Sequence, residues 1–153
     1  MNPKTPFVHP KGYNYPMKPI LLFLDFDGVL HPLYSPIEKQ FENLKFFEST
    51  IRQYPSVSIV ISSSWRHHHT MDELLTYFSF DIQRLIIDST RHLEISKATN
   101  RYGEIVDYLE HTNQMESSWI AIDDAKIEFP ENLENLVLCK PNVGFNGESA
   151  NLL

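Results

Sequence analysis

The chain has a single cysteine, Cys139, so no disulfide can form within it, and a reducing compartment suits its cysteine usage. It has no apolar run near the roughly 20 residues that span a bilayer, so no membrane helix is expected. Its first residues lack the apolar core of a signal peptide, and the expected location is the cytoplasm. Basic residues are few: 13 Lys and Arg against 20 Asp and Glu leave a net charge of −7. That balance argues against a broad basic surface for nucleic acid, although it leaves room for a local basic patch. Glycine is scarce, with five in 153 residues, and no repeat or low-complexity tract breaks the chain. What remains is ordinary globular composition, 42% hydrophobic and 22% charged, enough for one domain with a real core.

Proline is concentrated at the start. Pro3, Pro6, Pro10, Pro16 and Pro19 forbid regular structure, so residues 1–19 read as an extension and residues 20–153 as the domain.

The domain is organised around Ile20–Leu30. Five apolar residues, Ile20 to Leu24, have the length and character of a strand buried on both faces. Asp25 and Asp27 follow, then Gly28. Residues i and i+2 of a strand share a side, so the two carboxylates leave the sheet together at its carboxyl edge. Open α/β sheets bind ligands at that edge. Like charges held so close need an offset, and a divalent cation is the simplest one.

Further along, Ser35-Pro36-Ile37-Glu38 has capping-box spacing. Ile37, Phe41, Leu44, Phe47 and Ile51 then predict one buried helical face, ended by Pro55. Val57–Ile61 predicts a second strand, running into Ser62-Ser63-Ser64-Trp65-Arg66. Small hydroxyl residues at a strand end suit phosphate contact through side chain and backbone N–H. His67, His68 and His69 read as surface loop, since adjacent residues rarely aim at one point and no matched partner cluster is visible. Thr70-Met71-Asp72-Glu73 is a second capping box, opening a helix to about Phe78. Leu85–Ile87 reads as a short strand and residues 88–100 as loop. A helix is expected from Arg101 to His111, with Ile105, Val106 and Leu109 inward. A cation at a helix start opposes the helix dipole, which suggests that Arg101 serves something other than helix stability. Trp119–Ile122 predicts a fourth strand, ending in a second acidic pair, Asp123-Asp124, and Leu136–Leu138 a fifth. Alternating strands and helices imply an α/β, three-layer α/β/α sandwich with a mostly parallel sheet.

Taken together, Asp25-Phe26-Asp27-Gly28-Val29-Leu30, Ser62, Arg101 and Asp123-Asp124 resemble the four motifs of the haloacid dehalogenase-like (HAD) phosphohydrolases. With His31-Pro32, Ser-Ser-Trp-Arg and Arg-x-x-Glu-Ile, the pattern is similar to a small capless subgroup, some of whose relatives are linked to nucleic-acid end repair. The resemblance implies a Rossmannoid fold with minimal or no cap. It implies Asp25 as nucleophile, forming an aspartyl-phosphate, and Asp27 as general acid and base. Mg²⁺ would be held by Asp25, the backbone carbonyl of Asp27, Asp123 and Asp124. Ser62 would bind the phosphoryl group with the backbone of Ser63, and Arg101 would offset charge.

Lysine is commoner than arginine in the third motif, so Lys97 competes with Arg101 for that role. Ser62 is preferred to Ser63 because it shares a strand phase with Ser58 and Val60. The intervals Asp27–Ser62 and Ser62–Arg101 leave no room for a cap domain, so the expected substrate is bulky: a nucleic-acid end, a nucleotide or a phosphoprotein. Trp65, Arg66 and the histidines stand beside the phosphate loop as candidate substrate contacts. The alternative is a catalytically inactive HAD-fold binding protein. A phosphoacceptor receiver fits worse, since its acidic pair and acceptor aspartate end different strands.

Overall fold

Five apolar runs become five strands. The computed structural model describes residues 19–93 and 100–153; residues 1–18 of the proline-rich stretch, and Lys97, lie outside the described residues. The strands are β1 (Ile20–Leu24), β2 (Val57–Ile61), β3 (Ile86–Ser89), β4 (Trp119–Asp123) and β5 (Leu136–Leu138). They pair in the order β3-β2-β1-β4-β5, and every pair is parallel.

Alternation along β1 splits the core in two. Leu22 and Leu24 join Leu44, Phe47 and Ile51 of α1 (Leu44–Ile51), Leu74 of α2 (Met71–Leu75) and Ile82 of α3 (Phe80–Gln83). Leu21 and Phe23 face the other way, onto Ile105, Tyr108 and Leu109 of α4 (Arg101–His111). Helices therefore cover both faces, which is why β1 is apolar at every position. Phe23 is fully buried, with the rings of Tyr108 and Trp119 edge-on at 5.6 and 5.8 Å. Each such burial contributes about 1.5–3 kcal/mol. The chain steps from β1 outward to β3, then returns to β1's other side as β4. The crevice between the ends of β1 and β4 is thus the switch point where ligands bind in such sheets.

Three local expectations are corrected. The helix predicted from Ser35 begins only at Leu44. Ser35 Oγ donates to the Pro32 carbonyl (2.6 Å) instead of capping, Ile37–Lys39 form a 3₁₀ turn, and Ile37 is 84% exposed. Phe41 then takes a left-handed backbone (φ 63°), which no helix continues through. The capping box at Thr70 is present, Glu73 N to Thr70 Oγ1 at 3.2 Å and Thr70 N to Glu73 Oε2 at 2.7 Å, but α2 ends at Leu75. Finally, β3 runs to Ser89, into what reads as loop, and α3 precedes it unannounced. The short C-terminal piece after Gly144 holds α5 (Gly147–Ala150).

Candidate active site

Strand register assembles the site. Leu24 is opposite Ile61 on one side and Ile122 on the other, and Ile61 is opposite Ser89. One residue further on, Asp123, Asp25, Ser62 and Thr90 form a row across the carboxyl edge. The backbone bonds that fix it are Asp25 N to Ile122 O (3.1 Å), Ser62 N to Leu24 O (3.0 Å) and Thr90 N to Ile61 O (2.9 Å). Two residues below the first three members lie Ala121, Phe23 and Val60, all packed toward α4. By alternation Asp123, Asp25 and Ser62 belong to that same face, where α4 begins.

Arg101 opens α4, and Asn100 caps the helix, its Oδ1 accepting from Gly103 N at 2.9 Å. The misplaced cation of the sequence reading has its explanation here. Arg101 Nη1 lies 3.2 Å from Asp25 Oδ1 and 3.3 Å from Asp123 Oδ2. These are charge contacts without hydrogen-bond alignment, so Nη1 and Asp123 Oδ2 are both buried and lack hydrogen-bond partners among the described residues.

Asp25, Asp123 and Asp124 bring ligand oxygens within 4.8 Å of one another. Burial, and then the charge of Asp25, push Asp123 up to about 7 and Asp124 up to about 6; Arg101 opposes both shifts without cancelling them. A hard divalent cation fits this all-oxygen set, and the orphaned Oδ2 is a free donor for it. Gly28 makes room for the cluster: a Cβ there would overlap the Asp124 carboxylate, and its φ of +70° suits glycine.

These shifts set a pH dependence. Both carboxyls bind protons more tightly in the folded state than at the unfolded value of 3.8. Their contribution therefore favours folding at low pH and is lost as pH rises from about 4 through 7. His67, held below 6.5 by burial and Arg66, works weakly in the opposite direction, and Asp27, lowered, acts only below that window. The metal-free protein is expected to melt several degrees higher at pH 5 than at pH 8. Mg²⁺ should raise the melting temperature more at pH 8. A melting temperature indifferent to Mg²⁺ at both values would remove the cluster as a metal site.

The Asp27 side chain is not in that cluster. Its Oδ1 accepts from His31 Nε2 and its Oδ2 from the Trp65 indole, each at 2.9 Å. The His31 bond, more than that of Trp65, holds the carboxyl below its usual range against burial. Phe41 N donates to His31 Nδ1 (3.3 Å), so the imidazole proton is assigned to Nε2, facing Asp27. His31 is 1% exposed, and sequence reasoning gave it no role.

At the end of β2 the two serines divide. Ser63 Oγ accepts from Trp65 N (3.4 Å), whereas the Ser62 hydroxyl has no hydrogen bond among the described residues. The N–H groups of Ser63 and Ser64 also have no acceptor among them. Beside Asp25, then, the Ser62 hydroxyl and the Ser63 and Ser64 N–H groups have no hydrogen-bond partner among the described residues.

Arg66, expected to face substrate, is built into the protein. Its guanidinium donates to Ser62 O and Ser63 O (2.7 Å each), to Thr90 O (2.9 Å) and to Glu104 Oε2 (2.6 Å), tying β2, β3 and α4 together. Trp65 is likewise engaged, through Asp27 and a stacked His69 (5.2 Å, 18°). Thr90, 3% exposed, has a buried Oγ1 without a partner among the described residues, and nothing in the sequence marks it. A cleft of about 240 Å³ opens here, between Ser64, Arg66 and His67 on one side and Asn100, Arg101 and Glu104 on the other. Neither this cleft nor a larger groove of about 590 Å³, lined by residues 126–138, has one of the clustered carboxylates in its lining, but the cleft is lined by Arg101, which touches two of them.

Among the described residues no helix is long and apolar enough to cross a membrane. A family model described as the HAD domain in Swiss Army Knife RNA repair proteins matches residues 21–150. No curated protein and no solved structure gave a match. With a match that runs from β1 into α5 and includes all four motifs, the chain belongs to the HAD-domain family of Swiss Army Knife RNA repair proteins, small HAD-like phosphohydrolases.

Proposed function

We propose that the protein is a Mg²⁺-dependent phosphomonoesterase that works through an aspartyl-phosphate on Asp25 and removes phosphate from RNA ends. The observation that carries the chemistry is Asp25 itself: buried, 3.2 Å from Arg101 Nη1, and one position past the paired Leu24 and Ile61, beside Ser62, whose hydroxyl has no hydrogen bond to a described residue. The family description, with its RNA repair proteins, points to the substrate.

In this reading an Asp25 oxygen attacks phosphorus, and the ester oxygen leaves with a proton from Asp27. Water then attacks the acyl phosphate as Asp27 takes its proton, freeing inorganic phosphate and restoring Asp25. His31 and Trp65 hold Asp27 ionised in the free protein, ready for this second step. A phosphate dianion arriving beside it raises its proton affinity toward the form the first step needs. Ser62 and the Ser63 and Ser64 N–H groups orient the phosphoryl oxygens, and Arg101 balances their charge. Mg²⁺, held by Asp25, Asp123 and Asp124 with the Asp27 backbone carbonyl, would supply charge neutralisation at the transferring phosphoryl group.

The test is phosphate release, with and without Mg²⁺, from 3′- and 5′-phosphorylated RNA and DNA oligonucleotides, mononucleotides and a phosphopeptide. The expected result is Mg²⁺-dependent release with the highest kcat/KM on an RNA end. Preference for the phosphopeptide, or no release from any oligonucleotide, overturns the substrate assignment. No release from any compound returns the protein to a binding role.

A further inference from the structure

The histidine run that reads as surface loop finds partners far along the chain. His67 closes the 3₁₀ turn after the phosphate loop, His92 lies just past β3, and Glu104 sits in the first turn of α4. Their ligand atoms all lie within 4.8 Å of one another. The two imidazoles meet edge to face, centroids 4.4 Å apart at 79°. Neither ring makes a hydrogen bond to a described residue. Glu104 Oε2 accepts from Arg66 (2.6 Å), and its other oxygen has no partner among the described residues. An outer contact of that kind orients a ligating carboxylate.

The donor set differs from that of the carboxylate cluster. Two imidazoles and one carboxylate suit zinc and its borderline neighbours, whereas Mg²⁺ prefers oxygen alone. Zinc ligands ~2.1 Å from a tetrahedral ion stand ~3.4 Å apart. Both rings are exposed and Glu104 partly so, and side-chain rotation is enough to draw the donors in.

We propose that His67, His92 and Glu104 form a second metal site, for Zn²⁺ or a similar borderline divalent cation, at the cleft between the turn after β2 and the start of α4. Bound there, the ion ties the segment after β3 to α4. Through Glu104 and Arg66 it also braces the carbonyls of Ser62 and Ser63. Three protein ligands leave a fourth position for water. The site stands independently of the phosphatase reading, since it involves none of the four motif carboxylates.

The experiment titrates Mg²⁺-saturated protein with Zn²⁺ against a chromophoric chelator, and in parallel with Co²⁺, whose visible absorption reports four-coordination. One equivalent of Zn²⁺ is expected, with an intense visible Co²⁺ band. His67→Ala and His92→Ala should each weaken binding by about 10-fold or more. His68→Ala and Asp124→Asn should leave it unchanged. All variants are checked for unaltered circular dichroism, and the exposed His92 is the safest truncation. No Zn²⁺ binding in the presence of Mg²⁺ overturns the proposal. So does retention of binding in either His67→Ala or His92→Ala, or its loss in His68→Ala or Asp124→Asn.

Discussion

Asp25→Asn is expected to lower kcat on the best phosphomonoester by a factor on the order of 10⁴ or more. An amide nitrogen or oxygen at this position cannot form the acyl phosphate, and no other carboxylate can take its place. Asp27 is engaged by His31 and Trp65, and Asp123 is paired with Arg101 Nη1 at 3.3 Å. The same substitution should not weaken the metal-free fold. Asp25's charge is the second-largest cause of the raised Asp123 and Asp124 values, so its removal relieves repulsion while Arg101 keeps Asp123. The paired outcome, lost turnover with an undiminished melting temperature in chelator, separates a nucleophile from a structural residue. Turnover within tenfold of the unsubstituted protein, or the same acid-stable yield of radiolabelled phosphoprotein after quenching, would show that phosphate is carried elsewhere.

Arg66→Met should cost about 3–5 kcal/mol of folding free energy, read as a lower urea midpoint at unchanged slope. The Arg66 side chain is 6% exposed, and that of its Glu104 partner 13%. Methionine fills much of the space but leaves Glu104 charged without its partner, and the carbonyls of Ser62, Ser63 and Thr90 without their donor. Arg66→Lys should recover only part of the loss, because a single ammonium cannot reach acceptors on three elements at once. A cost below about 1 kcal/mol would mean that water or a rearranged loop serves these carbonyls equally well.

The strands were legible because a parallel sheet covered on both faces demands unbroken apolar runs, and Ile20–Leu24 and Val57–Ile61 are such runs. Legible for the same reason was the row of polar residues at their ends, since register follows from the apolar cores that precede Asp25, Ser62 and Asp123. Arg101 stood out by opposing the dipole of its own helix. What could not be read was whatever depends on distant neighbours. The apolar spacing from Ile37 to Ile51 is truly helical, yet Phe41 gains more by joining Phe26, Trp65 and Tyr77 than by continuing a helix. Arg66 looked available to substrate because its four acceptors come from β2, β3 and α4. Thr90 and His92 lie in a polar, aperiodic stretch, where only the pairing of β3 gives them an address.

Phe41 does two jobs that pull against each other. Its amide must point at His31 Nδ1, which forces a backbone that glycine would adopt more cheaply. Its ring must stay wedged against Tyr77, 4.2 Å away and nearly parallel, which no glycine could do. The chain accepts a locally uncomfortable bend so that one residue can act as both latch and peg. Relaxing the bend removes the peg, and removing the peg frees the latch. Whatever proton traffic passes through Asp27 is thereby governed from a turn that never touches it.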